Sequence, residues 1–277
     1  MNYKVAVIIL NYKSWKDTIK EVKICNDILN IENKDIIVVD NCSPNDSAEK
    51  LEKQSKNEGF VFIQSKENKG YGAGNNIGMR YALKEGYTHA FILNNDIIIK
   101  ESNLISQLLS VFKAEEKVAV VNPDIYAPDG HMFNRDAIKP SFFDYTLGLA
   151  IYRKKGRKVK DIDGYGYVYR PQGCCMMVDL GKMNEVDFFD EKVFLYCEEP
   201  ILAERLLKKG YLCACKTTVS IIHNHSKTVK STFDIDQIIE INNDSFTYYL
   251  KEYRKFSNLQ IKICCMFNSW KLKKLNG

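Results

Sequence analysis

The sequence predicts a mixed α/β domain on a mostly parallel sheet flanked by helices, followed by a helical, basic tail. Two observations carry this expectation. Short β-branched runs alternate with helical patterns through the first part of the chain, and a β-α-β-α-β-α-β order demands parallel strands joined by right-handed crossovers. The 277 residues, 45% of them hydrophobic, also suffice for one large domain or two small ones with a buried core and no disulfide staples.

Val5–Leu10, Ile36–Val39, Phe60–Ile63 and Ala90–Leu93 are short, apolar and mostly flanked by polar or glycine residues, as strands are. Between them, Trp15–Leu29, Ser47–Lys56 and Ala73–Glu85 read as helices. Ser47 is expected to cap the second, and Gly86 follows the third where a terminating glycine belongs. A fourth helix, Asn103–Ala114, leads to a strand at Val118–Val121. Residues 123–171 break the rhythm. Pro123, Pro128, Pro140, Gly164, Gly166 and Pro171 punctuate a tyrosine-rich stretch that reads as loop. Short strands return from Gly173 to Ile222, among them Thr218–Ile222, around one helix. That helix has Pro200 in its first turn and stops at Gly210 after Lys208-Lys209. Past Asp234 the pattern is helical, aromatic and basic.

Charge is unevenly placed. Residues 251–277 hold seven Lys/Arg against one acid, which accounts for more than the whole net charge of +5 and leaves the rest close to neutral. No global basic surface for nucleic acid is expected. The nine cysteines sit in apolar runs such as Gly173-Cys174-Cys175-Met176-Met177 without C-x-x-C spacing, so free thiols in a reducing cytosol are expected. Val5–Leu10 is too short for a signal peptide, and no apolar stretch reaches the roughly 18 residues of a membrane span.

In an open parallel sheet, ligands bind beyond the carboxyl ends of the strands. Three of the first four strands run into Asn or Asp there: Leu10-Asn11, Val39-Asp40-Asn41 and Leu93-Asn94-Asn95-Asp96. Such residues are also common in turns, but three on one edge point to a polar ligand site. The stretch Gly70-Tyr71-Gly72-Ala73-Gly74-Asn75-Asn76-Ile77-Gly78 fails the dinucleotide G-x-G-x-x-G spacing, and no G-K-[ST] marks a Walker A loop. It remains a glycine-rich helix entry, either a tight turn or a cradle whose N–H groups meet phosphate or sugar oxygens. Asp96 suits a hard divalent cation that bridges substrate phosphates. His223, in His223-Asn224-His225 after a strand, is either a further ligand or an ordinary surface histidine. Glu198-Glu199 precedes Pro200 at a helix N-terminus, where the dipole favours the ionised form a general base needs; an acidic first turn is the plain alternative.

Together these residues resemble the family 2 glycosyltransferases with a GT-A fold, in particular the rhamnosyltransferase-like bacterial branch that builds surface polysaccharides. Val7-Ile8-Ile9-Leu10-Asn11-Tyr12 is similar to the family's first strand, and Ile37-Val38-Val39-Asp40-Asn41-Cys42-Ser43 to its nucleotide-contacting second strand. Asn68-Lys69-Gly70-Tyr71-Gly72-Ala73-Gly74-Asn75-Asn76 matches N-x-G-[FY]-[AG]-x-[GA]-x-N. Asn94-Asn95-Asp96 stands at the D-x-D variant. Phe189-Asp190-Glu191 followed by Phe194-Leu195-Tyr196-Cys197-Glu198-Glu199 resembles the block that carries the base.

The resemblance implies a non-processive, inverting enzyme. Its donor is a nucleoside-diphosphate sugar, held by Asn11, Asp40, Asn68, Gly70, Asn76, Asn94, Asn95 and Asp96. Mn²⁺ or Mg²⁺ sits on Asp96 and His223, and Glu199 is the base. Residues 1–122 then form a nucleotide-sugar half, 123–234 an acceptor half of the same domain, and 235–277 a tail for the membrane surface. The acceptor is a lipid-linked saccharide, and the protein is cytoplasmic and peripheral at the inner face of the membrane. Ile201 departs from the family, which carries an acid there, and Glu199 replaces the commoner Asp. A sugar nucleotidyltransferase is the rival enzyme, although Asn11-Tyr12-Lys13-Ser14-Trp15 lacks the glycine-rich basic loop it needs. A catalytically silent carbohydrate-binding subunit is the rival non-enzyme.

Overall fold

The computed structural model describes residues 3–132, 134–148, 159–224 and 233–276. The first half follows the expected alternation: β1 (Val5–Asn11), α1 (Trp15–Asp27), β2 (Ile36–Asp40), α2 (Ser47–Glu58), β3 (Val61–Gln64), α3 (Tyr71–Lys84) and β4 (His89–Leu93). The strands β3, β2, β1 and β4 lie side by side and parallel, with Asn11 of β1 beside Asp40 of β2. Every residue of β2 and β4 is buried, because helices cover both faces of the sheet.

The second half adds β5 (Ile97–Ile99), α4 (Leu104–Ala114), β6 (Val118–Tyr126), α5 (Phe142–Tyr145), β7 (Tyr165–Val168), β8 (Cys175–Asp179), α6 (Leu180–Glu185), α7 (Glu198–Lys208) and β9 (Leu212–His223). The sheet runs β3-β2-β1-β4-β8-β6-β9-β5, with β7 paired to β9, so it is mixed. Strand β8 enters antiparallel between β4 and β6 and joins the two halves into one sheet. The stretch from 123 to 171 is less of a loop than expected: β6 continues to Tyr126, and β7 lies within it. Strand β9 is also one 12-residue strand rather than a short Thr218–Ile222 piece. Its register against β6 slips from Pro123↔Lys216 to Asp124↔Ser220, so polar Lys216-Thr217-Thr218 marks an irregularity within the strand, not its start.

One apolar layer packs α1, α2 and α4 on a sheet face through Val22, Cys25, Leu51, Leu104 and Leu108. The other packs α3, α6 and α7 through Met79, Ala82, Met183, Leu202 and Leu206. A third, smaller cluster forms where α8 (Ile235–Tyr248), a π-helical turn (Tyr249–Tyr253) and α9 (Asn258–Asn276) close over α7. The tail expected to lie on a membrane therefore spends Phe246, Tyr249 and Ile261 on the protein core, around Ile201 and Val193. Tyr169 ties it down further, donating to Glu204 Oε1 of α7 at 2.6 Å and lying 2.7 Å from the Tyr249 hydroxyl. Ile201 is fully buried in this contact, where a carboxylate would be stripped of water, and this accounts for its departure from the family pattern. All nine cysteines are free. No helix among the described residues is long and apolar enough to cross a membrane.

Candidate active site

The ends of β1, β2 and β4 meet in one buried polar network. Asn11 and Asp40 are wholly buried. Asn11 donates to Asp40 Oδ1 at 2.7 Å and accepts from the Thr18 hydroxyl at 2.7 Å. Asn95 donates to the hydroxyls of Thr18, 2.8 Å away, and Ser14, 2.9 Å away. Asp40 also accepts from the backbone N–H of Ser43 at 2.9 Å and from its hydroxyl at 2.6 Å. Each polar group answers another, which makes a rigid floor beneath the strand ends. Thr18 was not singled out from the sequence, where an inward-facing hydroxyl in the first turns of α1 was the available signal; Ser43 appeared only as the last residue of the second-strand motif.

The glycine-rich entry to α3 is pressed against the block at 189–199. Gly70 has φ +96°, and a Cβ there would lie 1.8 Å from the Phe194 carbonyl oxygen, so no other residue fits. Asn68 Oδ1 accepts from the Gly70 N–H and from Asn41 Nδ2, both at 2.9 Å. Asn76 donates to the Phe189 carbonyl at 3.0 Å and to Glu191 at 2.9 Å, and accepts from the Phe189 N–H at 3.0 Å. The amides of Asn68 and Asn76 are thus engaged in holding two chain segments together.

Antiparallel pairing of β5 with β9 sets Ile97 opposite His223, which brings Asp96 and His223 to one place. Asp96 Oδ1 lies 3.2 Å from His223 Nε2. Both carboxylate oxygens of Asp96 are buried, and neither accepts a well-formed hydrogen bond from a described residue. Glu21 of α1 lies close behind; burial first, and then the charge of Asp96, push its carboxyl well above the usual range. Two buried carboxylate oxygens beside an imidazole suit a divalent cation. No third His, Cys, Asp or Glu joins them among the described residues, so phosphate oxygens and water would fill the remaining positions. His225 lies outside the described residues.

Glu198 and Glu199 open α7 after two consecutive left-handed residues, Tyr196 (φ +70°) and Cys197 (φ +64°). Such backbone strain is the kind that accumulates where a side chain must be aimed. Glu198 turns inward: it is 4% exposed, and burial, then Glu199, push its carboxyl up to about 8. Glu199 is partly exposed, and its Oε1 accepts from the Gly173 N–H at 3.1 Å. The next residue, Cys174, accepts through its carbonyl from the Asn94 N–H at 2.9 Å. Its thiol is pushed up by burial and then by both Asp96 and Glu199, so it lies within electrostatic reach of each. Asn122, also missed in the sequence, braces this loop. It accepts from the Gln172 N–H at 3.0 Å and donates to the carbonyls of Gln172 at 2.8 Å and Cys175 at 2.5 Å. The strand end carrying Asp96 and the helix start carrying Glu199 therefore meet across Gly173-Cys174.

A parallel half-sheet continued by a mixed half, with polar strand ends facing a helix-start carboxylate, is the architecture of a GT-A glycosyltransferase. The chain belongs to glycosyl transferase family 2, which it matches over residues 6–178. It is 26% identical over 227 residues to the low-salt glycan biosynthesis hexosyltransferase Agl10 of Haloferax volcanii, across 79% of this chain and 67% of that one. Among solved structures it is similar to the mannosyltransferase PcManGT of Pyrobaculum calidifontis in complex with GDP-Man and Mn²⁺. That match has a TM-score of 0.62 at 12% identity and covers 98% of this chain and 70% of the other. It is also similar to S. aureus TarS 1–349 in complex with UDP-GlcNAc, with a TM-score of 0.57 at 14% identity, covering 95% of this chain and 71% of the other.

Proposed function

We propose that this glycosyltransferase moves a sugar from a UDP- or GDP-sugar to a saccharide hydroxyl with inversion at the anomeric carbon. The observation that carries the reading is the Gly173-Cys174 link, whose Cys174 carbonyl accepts from the N–H of Asn94, two residues before Asp96, and whose Gly173 N–H donates to Glu199. Glu199 takes the proton of the acceptor hydroxyl. The oxygen then bonds to the anomeric carbon from the face opposite the leaving group, and the electron pair of the broken bond departs with the nucleoside diphosphate. Asn11, Asp40 and Asn95 hold the floor on which the nucleoside rests, while Asn68, Gly70 and Asn76 keep the wall of the donor pocket in place; the Asn94 N–H holds the Gly173-Cys174 loop that contacts the base. When bound, Mn²⁺ or Mg²⁺ on Asp96 and His223 neutralises charge on the leaving diphosphate.

A thermal-shift screen of UDP and GDP, each with and without Mn²⁺, tests this. The cognate nucleotide at about a hundredfold over its Kd adds roughly 2.7 kcal/mol of stability, with the metal required. No shift with either nucleotide, under any metal condition, would refute the reading.

The acceptor in this reading is a lipid-linked saccharide of surface-polysaccharide synthesis, reached from the inner face of the cytoplasmic membrane. Helix α9 supports it. Its inner side buries Ile261 and Cys264, while Leu259, Met266 and Trp270 are 62–69% exposed along the outer side. The helix holds four lysines and no acid. An apolar ridge flanked by lysines suits an interface rather than a span, and each lysine near anionic lipid adds about 1 kcal/mol. Truncation after Tyr249 would strip Leu250, Ile261 and Cys264 from the third core cluster, so surface substitutions make the cleaner test. Met266→Glu with Trp270→Glu should release the protein from anionic vesicles at low salt and leave nucleotide binding unchanged. Equal sedimentation of both forms would reduce α9 to a packed helix.

A further inference from the structure

We infer that the hydroxyl of Tyr71, in the glycine-rich entry to α3, positions the base Glu199 by holding Gly173. The inference rests on Glu199 being the base, as proposed above. Tyr71 donates to the Gly173 carbonyl at 2.7 Å, across 102 residues of chain. Gly173 in turn donates its N–H to Glu199 Oε1 at 3.1 Å. One residue thus faces the phenol through its carbonyl and the carboxylate through its N–H.

The three groups are tightly packed. A Cβ added to Gly173 would lie 3.2 Å from both Glu199 Oε1 and the Tyr71 hydroxyl oxygen. Tyr71 has little freedom of its own: its N–H donates to the Phe194 carbonyl at 3.1 Å, and its ring meets the edge of Phe189 at 6.1 Å. Asn122 fixes Gln172 and Cys175 on either side of Gly173-Cys174, so the Gly173 carbonyl is the point at which the loop is gripped from α3. The same tyrosine begins the helix whose entry shapes the donor pocket, so donor wall and base share one rigid part. Because Gly173 N–H is Glu199's hydrogen-bond donor, loss of the Tyr71 hydroxyl frees the carboxylate to rotate away from the acceptor. Positional errors of about 1 Å at a reacting centre cost up to roughly a hundredfold in rate.

Tyr71→Phe removes the hydroxyl and keeps the ring. Turnover is read as UDP or GDP released from UDP-GlcNAc or GDP-mannose in the presence of acceptor, with donor affinity measured by calorimetry as a check on the fold. We expect kcat to fall roughly tenfold, the value of one well-placed hydrogen bond, with donor Kd unchanged. A merely structural role would not distinguish backgrounds, but a positioning role does. In Glu199→Gln the Tyr71→Phe change should cost nothing more, since there is no base left to position. An unchanged kcat in Tyr71→Phe, or a tenfold loss that persists in the Glu199→Gln background, overturns the inference. Full activity in Glu199→Gln alone would instead refute the base assignment, which is a separate outcome.

Discussion

Replacing Glu199 with glutamine lowers kcat by about 10²–10⁴ and leaves donor affinity unchanged. Glutamine keeps the size of the side chain and its ability to accept from the Gly173 N–H at 3.1 Å, but it cannot take a proton. The neighbouring Glu198 is the natural control. Burial and the adjacent Glu199 push its carboxyl up, towards the neutral form that an amide resembles. Glu198→Gln should therefore cost little at neutral pH. A single-turnover assay of both variants, with donor binding followed by calorimetry, decides the matter. If Glu198→Gln removes the activity and Glu199→Gln spares it, the two roles are exchanged.

Much of the fold was legible because the first half obeys a local rule. The buried strands carry unbroken apolar runs, Ile36–Val39 and Ala90–Leu93, each crossover helix has its own period, and the polar ends fall at one edge by topology alone. The second half obeys non-local rules. The antiparallel entry of β8 between β4 and β6 leaves no mark in Cys175-Met176-Met177-Val178, which would look the same in any buried strand. Thr218 reads as the start of a separate strand, Thr218–Ile222, when Lys216-Thr217-Thr218 sits at a register slip inside β9.

At the site, residue types were legible and their partners were not. Asn68 and Asn76 came from the resemblance, as donor-side residues of the N-x-G-[FY]-[AG]-x-[GA]-x-N segment. Their amides answer Gly70, Asn41, Phe189 and Glu191, pairings that span up to 115 residues and that no spacing encodes. Asn122 escaped notice because a lone asparagine at the end of an apolar strand signals a turn. Ile201 shows the converse. In sequence it is a missing acid; in the structure it is the floor of the contact that docks the tail onto the helix bearing Glu199. The tail is thus part of the catalytic domain on one side, whatever its outer face meets.

Asp96→Ala abolishes the metal-dependent part of nucleotide binding and spares the fold. The side chain accepts no well-formed hydrogen bond from a described residue, and its removal takes away only the 3.2 Å contact with His223 Nε2. Truncation also relieves Glu21, whose buried carboxyl is held up by desolvation and, next, by the charge of Asp96. The melting temperature of the metal-free protein should therefore hold or rise slightly, the opposite of what loss of a packing residue does. Binding should suffer in the other direction, because His223 alone is a poor anchor for a hard cation that prefers oxygen ligands. Even changes outside a metal's own ligands cost about 10–100-fold in metal affinity, and loss of a carboxylate ligand should cost more. Titration of UDP and GDP in Mn²⁺ and again in EDTA separates the two effects. The wild-type protein should show a large difference between the two conditions and Asp96→Ala none. An undiminished metal response in Asp96→Ala, in a variant that melts normally, would place the cation elsewhere.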